Sequence, residues 1–364
     1  MRVLHIYPKN EELIKNHVDL LTEGLRHSVE ICTADNSSAI RQQLHDRVPD
    51  IVHCHSCWNY NTARAISWAI HHGARIVITL HGQLEPWVIN QQSLHENISK
   101  TLLWQKRSIE KAYAVITFGK MECDNFKKLG WNPRIETIRN AVITNTISPS
   151  QMSAQTFAVY QKVMDSNTLE QMSDTLRQLL AAIIKVSITG DRRWLTESPD
   201  ITNLTNDLTL ENWRKLLVYA EHENIRNYVD YGINILGIQA PSIDTTKVNA
   251  FFPEGYQQPR PIKESIGDYQ GKETEYLMRM FRQINKHPLL LNMIELTREL
   301  YRDTVDDDLI SDQLDEKGLT SFAAGLMTVL AEQTLLDEGY MPIEAEDNKQ
   351  AQQLRNLLTN HLKI

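Results

Sequence analysis

The sequence predicts a doubly wound α/β domain followed by an all-helical region, and three observations carry that expectation. Up to about residue 142, short apolar runs alternate with helical patterns of 10 to 20 residues. After Asn140 the apolar residues recur only at three- and four-residue spacing. The run RIVITLHGQLEPW, Arg75 to Trp87, sends a β-branched strand into a loop holding a histidine, a glycine, an acid and a tryptophan. Strand–helix alternation calls for a parallel sheet covered by helices on both faces. In such a sheet, ligands bind beyond the carboxyl ends of the strands.

Taken in order, the strands read Val3–Ile6, Val29–Cys32, Ile51–His55, Ile76–Leu80, Ala114–Thr117 and Ile135–Ile138. Helical stretches fall near 11–26, 38–46, 60–72, 96–112 and 120–129. The punctuation agrees: Pro49 and Asp50 precede the third strand, Gly73 follows the third helix, and Gly130 closes the helix after Met121. Residues 1–142 therefore form the sheet domain. Residues 143–239 form a helical region that includes the runs 151–164, 167–188 and 208–236. Ser166, Asn167 and Thr168 before Glu170 read as a helix start. Residues 240–271 hold Pro241, Pro253, Pro259 and Pro261 with little periodicity and read as a loop or linker. Helices resume over 272–364, with no repeat of fixed period.

Bulk properties exclude several classes. A chain of 364 residues is long for one core. MRVLHIYPKN lacks the roughly 7–15-residue apolar stretch of a signal peptide. LLAAIIKVSI is interrupted by Lys185 and is half of the roughly 20 residues that span a bilayer. No transmembrane segment is expected, and the expected location is cytoplasmic or membrane-peripheral. The four cysteines, Cys32, Cys54, Cys57 and Cys123, read as small buried hydrophobes in a reducing compartment. Residues 1–150 carry 17 Lys/Arg and 14 Asp/Glu, leaving 21 and 32 for the rest. The acidic second half would repel phosphates, which argues against nucleic acid as a partner.

Several residues could carry chemistry. His81-Gly82 lies just past a strand, where glycine admits close backbone approach and a neutral imidazole can bond a sugar hydroxyl or phosphate oxygen; the plain alternative is a structural turn. His53, His55 and Cys57 share one face while the strand persists, which raises zinc. Alternate residues on one strand build a closed tetrahedral site poorly, and no fourth ligand is placed by spacing. The expectation is therefore no metal, with His55 lining the crevice and Cys54 in the core.

Glu85-Pro86-Trp87 offers an acid and an indole, either a platform for a sugar or lipid-like acceptor or a plug over the sheet edge. Lys100, Lys106, Arg107 and Lys111 share a helix with Trp104, a solvated basic face or a phosphate contact. Glu122 sits near a positive helix end, where a carboxylate is commonly a plain stabiliser. Arg139-Asn140 marks the end of the sheet domain, as a bend or as a ligand contact.

The ordered pieces MRVLHIYP, DIVHCHSCWN, IVITLHGQLEPWVI, KAYAVITFGKMECDNFKKLGW and RIETIRNAVI resemble the N-terminal, acceptor-side domain of family 4 retaining glycosyltransferases of the GT-B fold. The resemblance covers residues 1–142 and implies a Rossmann-like domain and a metal-independent transferase of surface-polysaccharide assembly. It also implies a nucleotide-sugar donor as substrate rather than a cofactor, and a glycan or lipid-linked acceptor. By that resemblance His81 would be catalytic, against the transferred sugar. Gly82, Glu85, Trp87, His55, Glu122, Arg139 and Asn140 would bind substrate, Glu122 matching the acid of the family's Ser-Glu pair and Asn140 the asparagine of its Pro-Asn-Gly turn.

The chain departs from the pattern in three places. Pro8-Lys9-Asn10-Glu11 replaces the Gly-Gly loop after the first strand, and Arg139-Asn140-Ala141 replaces the Pro-Asn-Gly turn. No second Rossmann-like domain, with its Arg/Lys pair and paired glutamates, is recognisable after residue 150. Two expectations follow: a glycosyltransferase, or an acceptor-binding or scaffolding subunit that docks a partner, or a second copy, through its helical half. An unrelated flavodoxin-like module would need a phosphate-binding loop after the first strand, and none is present.

Overall fold

The computed structural model describes residues 1–56, 60–88, 98–191, 205, 208–245, 248–251, 273–302, 306–358 and 361–362. The chain divides into two compact units, Met1–Ser166 with Asn249–Phe252, and Asn167–Val248 with Pro253–Ile364.

In the first unit six strands alternate with helices: β1 Arg2–Ile6, α1 Glu12–Leu25, β2 Glu30–Ala34, α2 Ser37–Asp46, β3 Ile51–His55, α3 Tyr60–His71, β4 Arg75–Thr79, α4 Ile98–Glu110, β5 Ala114–Thr117, α5 Lys120–Leu129, β6 Ile135–Thr137 and α6 Pro149–Asp165. All strand pairs are parallel, in the order β2-β1-β3-β4-β5-β6. The Rossmann-like, doubly wound sheet expected from the alternation is present. Parallel strands covered on both faces read as unbroken apolar runs, and β1, β3, β4 and β5 are buried at every position.

The two faces are covered by different helices. Leu4, Ile6, Val52, Cys54, Ile76 and Ile78 share a core with Ile40, Leu44, Ile66, Ile109 and Phe126 of α2 to α5. Val3, Ile51, Val77 and Ile116 pack on Leu21 and Leu25 of α1 and on Met152, Val159, Tyr160 and Val163 of α6. The period of two then settles where the strand histidines point. His5 follows Val3, and His53 and His55 follow Ile51, so all three face α1 and α6.

The compact unit runs on past residue 142, because α6 seals the second face. Ser148 caps that helix in a capping box with Gln151, and Pro149 starts it. A Cβ at Gly24 of α1 would fall on Ser153 of α6, so the glycine sets how closely those helices approach.

Among its described residues the second unit holds helices and no strand: α7 Thr168–Gln171, α8 Asp174–Thr189, α9 Leu210–His222, α10 Arg226–Leu236, α11 Glu273–Lys286, α12 Leu290–Leu300, α13 Asp307–Glu316, α14 Thr320–Thr334 and α15 Lys349–Leu357. Two cores hold it. One joins α8, α9 and α10 through residues such as Leu180, Ile184, Trp213, Leu217 and Val229. The other joins α11, α12, α14 and α15 through Phe281, Leu296, Met327 and Leu354. A Cβ at Gly232 of α10 would meet the Ile183 carbonyl of α8, so no larger residue lets these helices lie together.

Two details differ from the sequence reading. Asn167 sits in the left-handed region at φ +48° and makes no side-chain cap, and the run 167–188 breaks into two helices because Ser173 caps a second start through its Oγ. Helix α13 goes unmarked in the sequence because only Ile310 and Leu314 of its ten residues are buried, leaving little apolar stripe. The loop expected over 240–271 is neither helix nor strand at 240–245 and 248–251; its other residues lie outside the described ones. No described helix is long and apolar enough to cross a membrane.

Candidate functional site

The strand order reverses between β1 and β3, which places the crevice of a doubly wound sheet at the carboxyl ends of those strands. Five histidines meet there. His5 of β1 lies beside His53 of β3 in register, His55 ends β3, His81 follows β4, and His17 reaches in from α1.

The hydrogen bonds among them are specific. His53 is saturated: Nδ1 meets the Tyr160 hydroxyl at 2.6 Å and Nε2 the Thr79 hydroxyl at 2.7 Å. His5 Nδ1 lies 2.9 Å from His55 Nε2, and His55 Nδ1 lies 3.4 Å from His81 Nε2. Asn140 Oδ1 accepts the Val142 N–H at 2.9 Å, so the atom 3.0 Å from His17 Nδ1 is the oxygen. His17 Nδ1 must therefore carry the proton, and its Nε2 keeps the lone pair.

Burial drives all five imidazoles toward the neutral form: His5 falls to about 3, His17 is lowered, and His53, His55 and His81 lie well below 6.5. Mutual repulsion adds to the burial effect on His5, His53, His55 and His81. The site therefore offers neutral imidazoles at pH 7, able to donate and accept but carrying no charge.

The His81-Gly82 turn has unusual backbone geometry. His81 is a non-glycine residue at φ +52°, followed by Gly82 at φ +74°. Single left-handed residues of this kind persist where the surroundings over-determine them. Glu122 supplies that constraint. Its two carboxylate oxygens accept the Gly82 N–H at 2.5 Å and the Phe118 N–H at 2.6 Å, fastening the turn to the start of α5. Burial raises the Glu122 carboxyl and neighbouring Glu85 raises it further, against the lowering effect of the two amides. The His81 ring stands edge-on to His17 and to Phe118, at 5.1 and 4.9 Å.

The structure thus brings His55, His81, Gly82, Glu122 and Asn140 together, the last through His17. Glu85 turns inward: it is 3% exposed and accepts from Asn125 Nδ2 at 2.6 Å, tying the loop to α5. Trp87 is 51% exposed and Arg139 is exposed; both lie outside the hydrogen-bonded network of the described residues. Cys57 lies outside the described residues, so the grouping of His53, His55 and Cys57 reduces to its two histidines, of which His53 has no nitrogen to spare.

On the basic helix, Trp104, Arg107 and Lys111 line a groove of about 440 Å³ with Arg64 and Ile70. Lys106 pairs with Glu110 at 3.7 Å; the Lys100 side chain lies outside the described residues.

His5, His17, Tyr160 and Asn125 escaped the sequence reading. A signal existed for His17, which shares the apolar stripe Ile14, Val18, Leu21. His5 could be joined to His53 only with the strand order in hand.

Fold and edge define a doubly wound α/β domain whose polar cluster occupies the ligand position of that class. Residues 17–146 match the family model Glycosyltransferase Family 4, so this part of the N-terminal unit is similar to a glycosyltransferase family 4 domain. No curated protein and no solved structure matches the chain.

Proposed function

We propose that this protein is a retaining glycosyltransferase of the family 4 type, moving a sugar from a nucleotide-sugar donor to a glycan or lipid-linked acceptor in surface-polysaccharide assembly. The observation that carries the reading is the braced His81-Gly82 turn at the switch-point edge of a domain matching that family. In this reading the neutral His81 bonds a hydroxyl of the transferred sugar, and His55 lines the floor beneath it. Asn140 acts through His17, Glu122 and Glu85 hold the loop, and Trp87 and Arg139 meet the acceptor or the donor diphosphate from the exposed margin.

One observation favours a second reading, an acceptor-binding or scaffolding subunit. The described residues after Thr137 contain no strand, and residues 151–364 carry 21 Lys/Arg against 32 Asp/Glu. A nucleotide diphosphate needs cationic or N–H-rich partners, which such a helical unit supplies poorly.

Calorimetric titration with UDP- and GDP-sugars separates the two. Donor binding at sub-millimolar affinity, abolished by His81→Ala in a variant with unchanged circular dichroism, is the expected result. No nucleotide response from the wild type removes the lone-enzyme reading and leaves the subunit reading.

A further inference from the structure

We infer that His55, backed by His5, is a positioning residue that fixes which nitrogen of His81 carries the proton, so that His81 presents Nδ1–H to an acceptor oxygen of the bound ligand. What His81 then does for a ligand rests on the glycosyl-transfer reading; where its proton sits does not.

A neutral imidazole has one N–H and one lone pair, so two ring nitrogens at hydrogen-bond distance share one proton between them. His5, His55 and His81 form such a row, and burial keeps all three neutral. His5 Nδ1 lies 2.9 Å from His55 Nε2. Their rings are 17° from parallel with centroids 5.2 Å apart, which suits a bond running edge to edge. His55 Nδ1 lies 3.4 Å from His81 Nε2, a contact long at rest, as functional hydrogen bonds often are before a ligand tightens them. The row has two arrangements, because a ring that accepts on one side must donate on the other. Either every ring holds its proton on Nδ1, or every ring holds it on Nε2.

The inner end of the row decides between them. His5 is wholly buried, and its Nε2 has no hydrogen-bond partner among the described residues. A proton there would be an orphaned buried donor, which folded proteins rarely keep, whereas an under-used acceptor is tolerated more often. His5 therefore holds its proton on Nδ1 and donates it to His55 Nε2. His55 must then donate from Nδ1 to His81 Nε2, which leaves the His81 proton on Nδ1.

The neighbouring imidazoles do not compete with this order. The Tyr160 and Thr79 hydroxyls, able to donate or accept, hold both nitrogens of His53. Asn140 Oδ1 fixes the His17 tautomer separately. The turn after β4 carries the result to the crevice. Glu122 clamps the Gly82 amide, and His81 at φ +52° lays its Nε2 against His55. Its Nδ1 makes no hydrogen bond within the described residues and belongs to the one ring of the three that is only partly buried. The ligand atom it meets is therefore an acceptor: a hydroxyl, carbonyl or phosphate oxygen, not an ammonium or an amide N–H.

The test is ¹⁵N NMR of the full chain labelled at histidine, without any nucleotide sugar, which separates N–H from lone-pair ring nitrogens. His81→Gln, His55→Phe and His5→Phe each remove one set of signals and so assign the three rings. At pH 7 the wild type should show Nδ1–H at His5, His55 and His81. His55→Phe should turn His81 from one tautomer into a mixture of both, a change that a merely structural role for His55 would not cause.

Nε2–H at His81 in the wild type would overturn the inference, as would an unchanged His81 tautomer in a folded His55→Phe variant. The wild-type spectrum decides the matter where a variant does not fold. On the transferase reading, His55→Phe should also weaken sugar-donor binding roughly 2- to 10-fold, the loss of about one neutral hydrogen bond. A wild type that shows Nδ1–H at His81 yet binds no sugar donor would count against the transferase reading alone.

Discussion

Glu122→Ala should destabilise the N-terminal unit by roughly 3–5 kcal/mol and abolish the order of the His81-Gly82 turn. Two backbone amides, Gly82 and Phe118, donate to its carboxylate. A hydrogen bond to a charged group contributes about 1.5–3 kcal/mol, and a buried donor left without an acceptor carries its own desolvation cost. The side chain is 9% exposed, so water replaces it incompletely. Hydrogen exchange reads the effect residue by residue: the Gly82 and Phe118 amides should lose protection while the amides of β1 and β3 keep theirs. Glu122→Gln should fall between, because its amide keeps one carbonyl oxygen to accept and presents an NH₂ where the second acceptor was. If His81 contacts the sugar, both variants should also weaken donor binding, alanine more than glutamine. Unchanged protection at Gly82 in the alanine variant would refute the bracing role.

That role also shows where the sequence stopped being informative. Glu122 near the start of its helix is readable as a dipole-stabilising acid, and that is part of the truth, since the Phe118 amide belongs to the same turn. Its second bond crosses from α5 to the loop after β4, forty residues away, and nothing local encodes it. The strands were legible because parallel strands buried on both faces must be continuous apolar runs, and all six fall within two residues of their expected bounds.

The histidine cluster was legible only in part. His53, His55 and His81 could be placed at strand ends from the pattern. The positions of His5 and His17 depend on β1 lying beside β3 and on α1 covering that face. Helix α6 has the same limitation. Periodicity shows that it has an apolar face, but not that this face completes the sheet domain and delivers Tyr160 to His53. Long-range pairing, not local propensity, assembled the part of the site that the sequence did not reveal.

In the helical unit, the second large effect is a stability that declines as pH rises, traceable to Glu295 of α12. Its carboxyl is pushed up to about 7, first by burial and then by Glu299, with Arg298 opposing. One oxygen, Oε2, is buried with no hydrogen-bond partner among the described residues. Burial pushes the hydroxyls of Tyr228 and Tyr276 up, and the same carboxylate, close to both, raises them further.

The sign follows from which state holds the proton. Between an unfolded value of 4.5 and a folded value of about 7, the native protein keeps a proton that the unfolded chain has released. The favourable contribution is therefore full below pH 4.5, falls as pH rises through 7, and is flat above that. A gap of roughly 2.5 pH units at about 1.4 kcal/mol each makes the loss on the order of 3 kcal/mol.

Glu295→Gln keeps the shape and removes the ionisation. The variant should match the wild type near pH 4 and exceed it by roughly 2–3 kcal/mol at pH 8, in urea unfolding followed by circular dichroism. Its stability should lack the wild type's decline between those two values, whatever the other groups contribute in common. A variant less stable than the wild type at pH 8 would mean that the ionised carboxylate is satisfied in the fold, most directly by Arg298, and that burial does not dominate at this position.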